Sequence, residues 1–142
     1  MVTAAQLLKH KGRVIHSVDP ESPVLEAIRI MAEHGVGALL VMQGAQLLGV
    51  VSERDYARKV ILLGRSSSET PVWQIMSAPV LTVAPEQTVR ECMRIMTDKR
   101  VRHLPVVDKE RVIGVLSIGD LVRAVVEEQQ QTIEQLEHYI RS

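Results

Sequence analysis

Cysteine is almost missing from this 142-residue chain, with Cys92 its sole representative. A single thiol excludes a disulfide framework and any cysteine-based metal cage, and it suits a reducing compartment. An excess of charge is missing too, since 17 Lys and Arg balance 17 Asp and Glu. With no basic block, a dedicated nucleic-acid surface is not expected. Apolar runs are short: Gly37–Met42 and Leu47–Val51 fall far below the roughly 20 residues that span a bilayer. Met1–Lys11 lacks the basic, apolar and small-residue regions of a secretory signal, so the expected location is cytoplasmic, away from any membrane. Phenylalanine is absent, and the five histidines (His10, His16, His34, His103, His138) show no paired spacing for a metal. No P-loop, GxGxxG or Ser-His-Asp order appears, so no enzyme is expected. What the chain does have is 46% hydrophobic residues, enough for a substantial core.

That apolar content is arranged in duplicate. Shifted by about 65 residues, the sequence lies on itself without a gap. Val18-Asp19-Pro20-Glu21 meets Val83-Ala84-Pro85-Glu86, and Arg29-Ile30-Met31 meets Arg94-Ile95-Met96. Gly49-Val50-Val51-Ser52-Glu53-Arg54-Asp55 meets Gly114-Val115-Leu116-Ser117-Ile118-Gly119-Asp120.

Each copy reads as β-α-β-β-α. An extended piece, Ile15–Val18 or Val80–Val83, ends at a Pro-Glu turn. A helix follows, with Val24, Ala27, Ile28 and Met31, or Val89, Cys92, Met93 and Met96, at helical spacing. Next come two nearly continuous apolar runs, Ala38–Met42 with Leu47–Val51 and Leu104–Val107 with Val112–Leu116. These predict hairpins buried on both faces. A second helix begins near Ser52 or Ser117. Val2–His10 predicts a short helix capped by Thr3. Leu121–Ile140 predicts one long helix whose stripe (Val122, Val125, Val126, Ile133, Leu136, Ile140) is broken at Gln129–Gln131. The expected division is an N-terminal helix (1–12), repeat one (13–63), a linker (64–77), repeat two (78–126) and a helical extension (127–142). Trp73 is expected to pack across the joint between copies.

The duplicated Gly-apolar-apolar-Ser-x-x-Asp motif has two physical readings. A serine at a helix start with an acid three residues on is a capping box, Ser52 with Asp55 and Ser117 with Asp120. The same geometry suits a nucleotide: helix-start N–H groups favour phosphate, and a carboxylate one turn in can accept both hydroxyls of a ribose. Each motif is fed by a buried strand through a glycine, Gly49 or Gly114, which is expected to leave room for a ligand.

Tandem units carrying this motif resemble a pair of CBS (cystathionine β-synthase) domains, a Bateman module. Ser52-Glu53-Arg54-Asp55-Tyr56, Gly64-Arg65-Ser66-Ser67 and Arg102-His103-Leu104-Pro105-Val106 are similar to small stand-alone CBS-pair proteins of bacteria and plant organelles. The resemblance implies an α+β (α/β-type) fold of two pseudo-symmetric repeats, with adenosine ligands in a cleft between them. It makes Asp55 and Asp120 ribose ligands with Ser52 and Ser117 beside them. Arg54 becomes a phosphate clamp, matched by Gly119, whose missing side chain leaves space for a bulkier group. Arg102 and His103 become phosphate contacts, giving Asp120 the richer set of cations. Adenine would lie against Ile15, His16 and Val18, or Val80, Leu81 and Val83. The implied ligand is AMP or ATP, alternatively NAD or S-adenosylmethionine, and the implied assembly a homodimer acting on an unidentified protein target. The alternative is a purely structural module that kept its serines and aspartates as helix caps.

Overall fold

The computed structural model describes Met1 to Arg141. It divides into two compact units. One is Val14–Leu81; the other joins Met1–Arg13 to the chain from Thr82 onward.

In the first unit, β1 (Ser17–Val18) runs parallel to β2 (Ala38–Gln43), which forms an antiparallel hairpin with β3 (Gln46–Ser52). Leu39, Leu40 and Val41 are buried in succession, as the unbroken apolar run requires of a strand covered on both faces. α2 (Val24–His34) buries Val24, Ala27 and Met31 at helical spacing. It ends at Gly35, whose φ of 64° is the left-handed conformation that glycine adopts freely. A short α3 (Glu53–Tyr56) continues as a π-turn over Ala57–Ile61.

The second unit repeats this plan. α4 (Val89–Lys99) buries Val89, Cys92 and Met96, and β4 (His103–Asp108) pairs with β5 (Arg111–Ser117). Both hairpins carry a register shift at the same place, Val41/Met42 and Val106/Val107. The first strand of this copy shrinks to a single parallel bridge, Val83 to Val106. α5 (Ile118–Arg141) is one long helix; Leu121 and Ala124 are buried, while Val122, Val126, Ile133, Leu136 and Ile140 stay exposed.

Each unit is completed by a leader segment that precedes the other repeat in the chain. Residues 70–76, which lead into repeat two, dock on repeat one through Val24 N–H to Thr70 O (2.8 Å), Val72 N–H to Ser22 O (2.9 Å) and Trp73 N–H to Pro20 O (3.1 Å). In the other unit the N-terminal segment, with α1 (Ala4–Lys11), docks on repeat two identically. Its bonds are Val89 N–H to Val2 O (2.9 Å), Ala4 N–H to Gln87 O (2.8 Å) and Ala5 N–H to Pro85 O (2.9 Å). The segment read as a linker thus holds a 3-10 turn, Val72–Gln74, with Val72 and Ile75 in the core. Trp73 is exposed on this turn.

The space beside Gly49 and Gly114 belongs to these leaders, which corrects the expectation that it serves a ligand. A Cβ on Gly49 would lie 2.7 Å from Met76 Sδ, and one on Gly114 would lie 2.5 Å from Leu8 Cδ2. Leu8 is fully buried, so Gly114→Ala overpacks the core and is expected to cost about 1–3 kcal/mol in urea denaturation. In a Leu8→Ala background the same substitution should cost less; equal costs would contradict this packing.

Candidate functional site

The site elements are the two strand-to-helix junctions. Ser52 closes β3 and caps α3; its N–H donates to Asp55 Oδ2 at 2.9 Å, its hydroxyl donates to the same oxygen at 3.0 Å, and the Asp55 N–H returns to Ser52 Oγ at 3.2 Å. Ser117 and Asp120 repeat the arrangement at 2.8 Å and 3.2 Å. A second bond secures each helix start: Glu53 N–H donates to Gly37 O and Ile118 N–H to Arg102 O. Of the first-turn amides, the one left over by this scheme belongs to the second helical position, Arg54 or Gly119.

Each carboxylate also meets cations, and they differ between repeats. Lys59 Nζ lies 3.2 Å from Asp55 Oδ1 and donates to Ile75 O at 2.9 Å. Asp120 receives Lys11 Nζ on Oδ2 at 2.6 Å and Arg123 Nη2 on Oδ1 at 2.8 Å. Burial of Asp120 works against its charge, but hydrogen bonds from Lys11 and Ser117 and the Lys11 charge outweigh it. They hold the carboxyl below its ordinary pKa.

Lys11 and Arg123 pair with Asp120 itself, whereas Arg102 and Arg54 are the residues expected toward a phosphate. Arg102 is exposed, and neither it nor Arg54 enters an ion pair among the described residues. His103 sits opposite Ser117 in the hairpin register. Its pKa is lowered by burial first, then by the positive charges of Lys11 and Arg102, against the opposing pull of Asp120. The lowered pKa favours the neutral imidazole, which offers hydrogen bonding rather than charge. Because its folded pKa lies below the unfolded value, about 6.5, this histidine favours folding fully above that pH. Its contribution is lost as pH falls toward the lower folded value. NMR titration of the imidazole should give a midpoint below 6.5, and His103→Asn should flatten the stability profile there; a midpoint above it would contradict the burial.

The residues expected against adenine are divided. Val18 and Val83 point into the cores of their own units and are buried there, a correction that follows from alternation along an extended chain. His16 stacks on His34, with ring centroids 4.0 Å apart. Ile15 and Val80 are half-buried, and Leu81 is exposed. Leu81 closes the first unit and Val83 belongs to the second. Gly119 has room for a side chain, since an added Cβ would meet only Ser117 Oγ at 3.7 Å. Cys92, on α4, is buried; burial and then Glu91 raise its pKa, which makes it an inert core thiol.

Duplicated units with capped Ser-x-x-Asp junctions define a paired-repeat module. The CBS domain model matches residues 3–62 and 72–127, and the chain belongs to that family. Both matched segments take in most of the docking leaders. The chain is 40% identical to the mitochondrial CBS domain-containing protein CBSX3 of Arabidopsis thaliana, over 98% of this chain and 72% of that protein. A CBS-domain protein of Burkholderia ambifaria superposes with a TM-score of 0.87 at 51% identity, covering 90% of this chain and 96% of that one. The Pyrobaculum aerophilum CBS domain protein PAE2072, complexed with AMP, superposes at 0.79 with 27% identity, covering 92% of this chain and 99% of its own. Among the described residues no helix is long and apolar enough to cross a membrane.

Proposed function

We propose that this chain is a non-enzymatic sensor that binds adenosine nucleotides at Asp55 and Asp120 and passes occupancy to a partner or to its own assembly. The observation that carries the reading is the duplicated junction: in both repeats a carboxylate is fixed by a serine N–H at the mouth of a helix. That geometry matches the needs of a ribose diol beside a phosphate. The AMP held by the Pyrobaculum relative supports AMP as ligand, with ATP, NAD and S-adenosylmethionine ranked after it. A homodimer is the proposed assembly, supported by exposed Val122, Val126, Ile133, Leu136 and Ile140 along α5. Their spacing, with Gln129 in line, is that of a two-helix seam. The proposed compartment is the cytoplasm, on the strength of the lone reduced thiol.

One observation favours the structural alternative: both carboxylates already close their own helix caps and hold lysines. Mass spectrometry of small molecules released by denaturing the purified protein separates the two. The sensor reading expects an adenosine compound retained in substoichiometric or greater amount. Its absence, together with no thermal shift from AMP, ATP, NAD or S-adenosylmethionine, would leave the structural module.

A further inference from the structure

Lys11, the last residue of α1, donates to two acceptors at once: Asp120 Oδ2 and the Val115 carbonyl oxygen, each at 2.6 Å. A carboxylate offers about two acceptor positions per oxygen. At Asp120, Oδ2 is filled by Ser117 N–H and Lys11, and Oδ1 is half-filled by Arg123. One position remains, on Oδ1, whereas a vicinal diol that gives one hydroxyl to each oxygen also needs a place on Oδ2. Arg123 is 72% exposed and reaches Oδ1 from one turn along the same helix, so it can swing into water. Lys11 is 38% exposed and anchored at both contacts, and it covers a carboxylate that is 8% exposed. Repeat one is covered more loosely: Lys59, bonded to Ile75 O, lies 3.2 Å from Asp55 Oδ1 and leaves Oδ2 to Ser52. There the strand carbonyl of Val50 is served by the Ser77 backbone N–H, and the second donor on Asp55 Oδ2 is the Ser52 hydroxyl, which rotates away freely.

We propose that Lys11 is a resident competitor at Asp120: a ligand bearing a cis-diol binds that carboxylate only by displacing the Lys11 ammonium. The two sites are thereby graded in affinity, with Asp55 filling first. α1, which precedes repeat one in the chain, sets the affinity of repeat two. This inference rests on the nucleotide reading above, and its test keeps the two failures apart.

The experiment is calorimetric titration of AMP into the full chain carrying Asp55→Asn, so that Asp120 alone reports, with and without Lys11→Met. Removal of the ammonium is expected to tighten AMP binding at least tenfold, and Asp120→Asn should abolish the gain. Lys11→Gln gives the same direction should the methionine variant not fold, because it keeps a neutral donor that is more easily displaced. AMP binding unchanged or weakened by loss of Lys11, yet lost with Asp120→Asn, would overturn the competitor and leave the nucleotide reading standing. No AMP binding by the unsubstituted chain or any variant would overturn both.

Discussion

Asp120→Ala is expected to lower the free energy of unfolding by about 2–3 kcal/mol, and Asp55→Ala by about 1–2 kcal/mol. Both substitutions remove the acid half of a capping box, a hydrogen bond worth about 0.5–1.5 kcal/mol on its own. Asp120 is the more buried, 8% exposed against 14% for Asp55, and it holds two cations where Asp55 holds one. Lys11 and Arg123 are exposed enough to regain water when their partner goes, which keeps the loss below that of a fully buried broken pair. The acid limb of the stability profile should carry the same signature. The folded pKa of Asp120 lies below the unfolded value, so its contribution is complete above about pH 3.9 and is lost as pH falls through the folded value. Urea denaturation of the wild type and both variants checks this. The acid loss should be smaller in Asp120→Ala than in the wild type. An Asp120→Ala cost no larger than that of Asp55→Ala would contradict the ion-pair account.

Asp55→Ala should weaken AMP binding at repeat one by at least about 100-fold. Two hydroxyls donating to a carboxylate form charge-assisted hydrogen bonds worth about 1.5–3 kcal/mol each, and about 2.7 kcal/mol is 100-fold. Ser52→Ala should weaken binding by less, since the Ser52 backbone N–H still fixes Asp55 Oδ2. Calorimetry with AMP on the two variants reads both effects. A loss of less than threefold in Asp55→Ala would show that the carboxylate serves its helix alone.

The fold was largely legible because burial is periodic. The alternation of apolar runs and helical spacings located α2, α4 and both hairpins, and the Ser-x-x-Asp pair marked where each second helix starts. The helix of the first leader was legible, but the equivalence of the two leaders was not, for a definite reason. The connector from Leu8 to Val18 is longer than that from Met76 to Val83, so the single offset that aligns the repeats cannot align their leaders. Gln6-Leu7-Leu8 beside Gln74-Ile75-Met76 was the available signal. Missing it hid what fills the space at Gly49 and Gly114, and it hid Lys11, whose partner lies at the far end of the chain. Lys59 was findable as an i,i+4 partner of Asp55, and Arg123 as an i,i+3 partner of Asp120. A short strand gives no sequence sign of which face is inward, so the core placement of the Val18 and Val83 side chains was not legible.

The grip of two capped carboxylates on an adenosine ribose underlies the whole of the proposed function. Its most direct test is isothermal titration of AMP into the wild-type chain and into the Asp55→Ala, Asp120→Ala double variant, with folding of each verified by circular dichroism. Saturable heat from the wild type and none from the folded double variant is the predicted result. Equal heats from both, or none from the wild type, would contradict it.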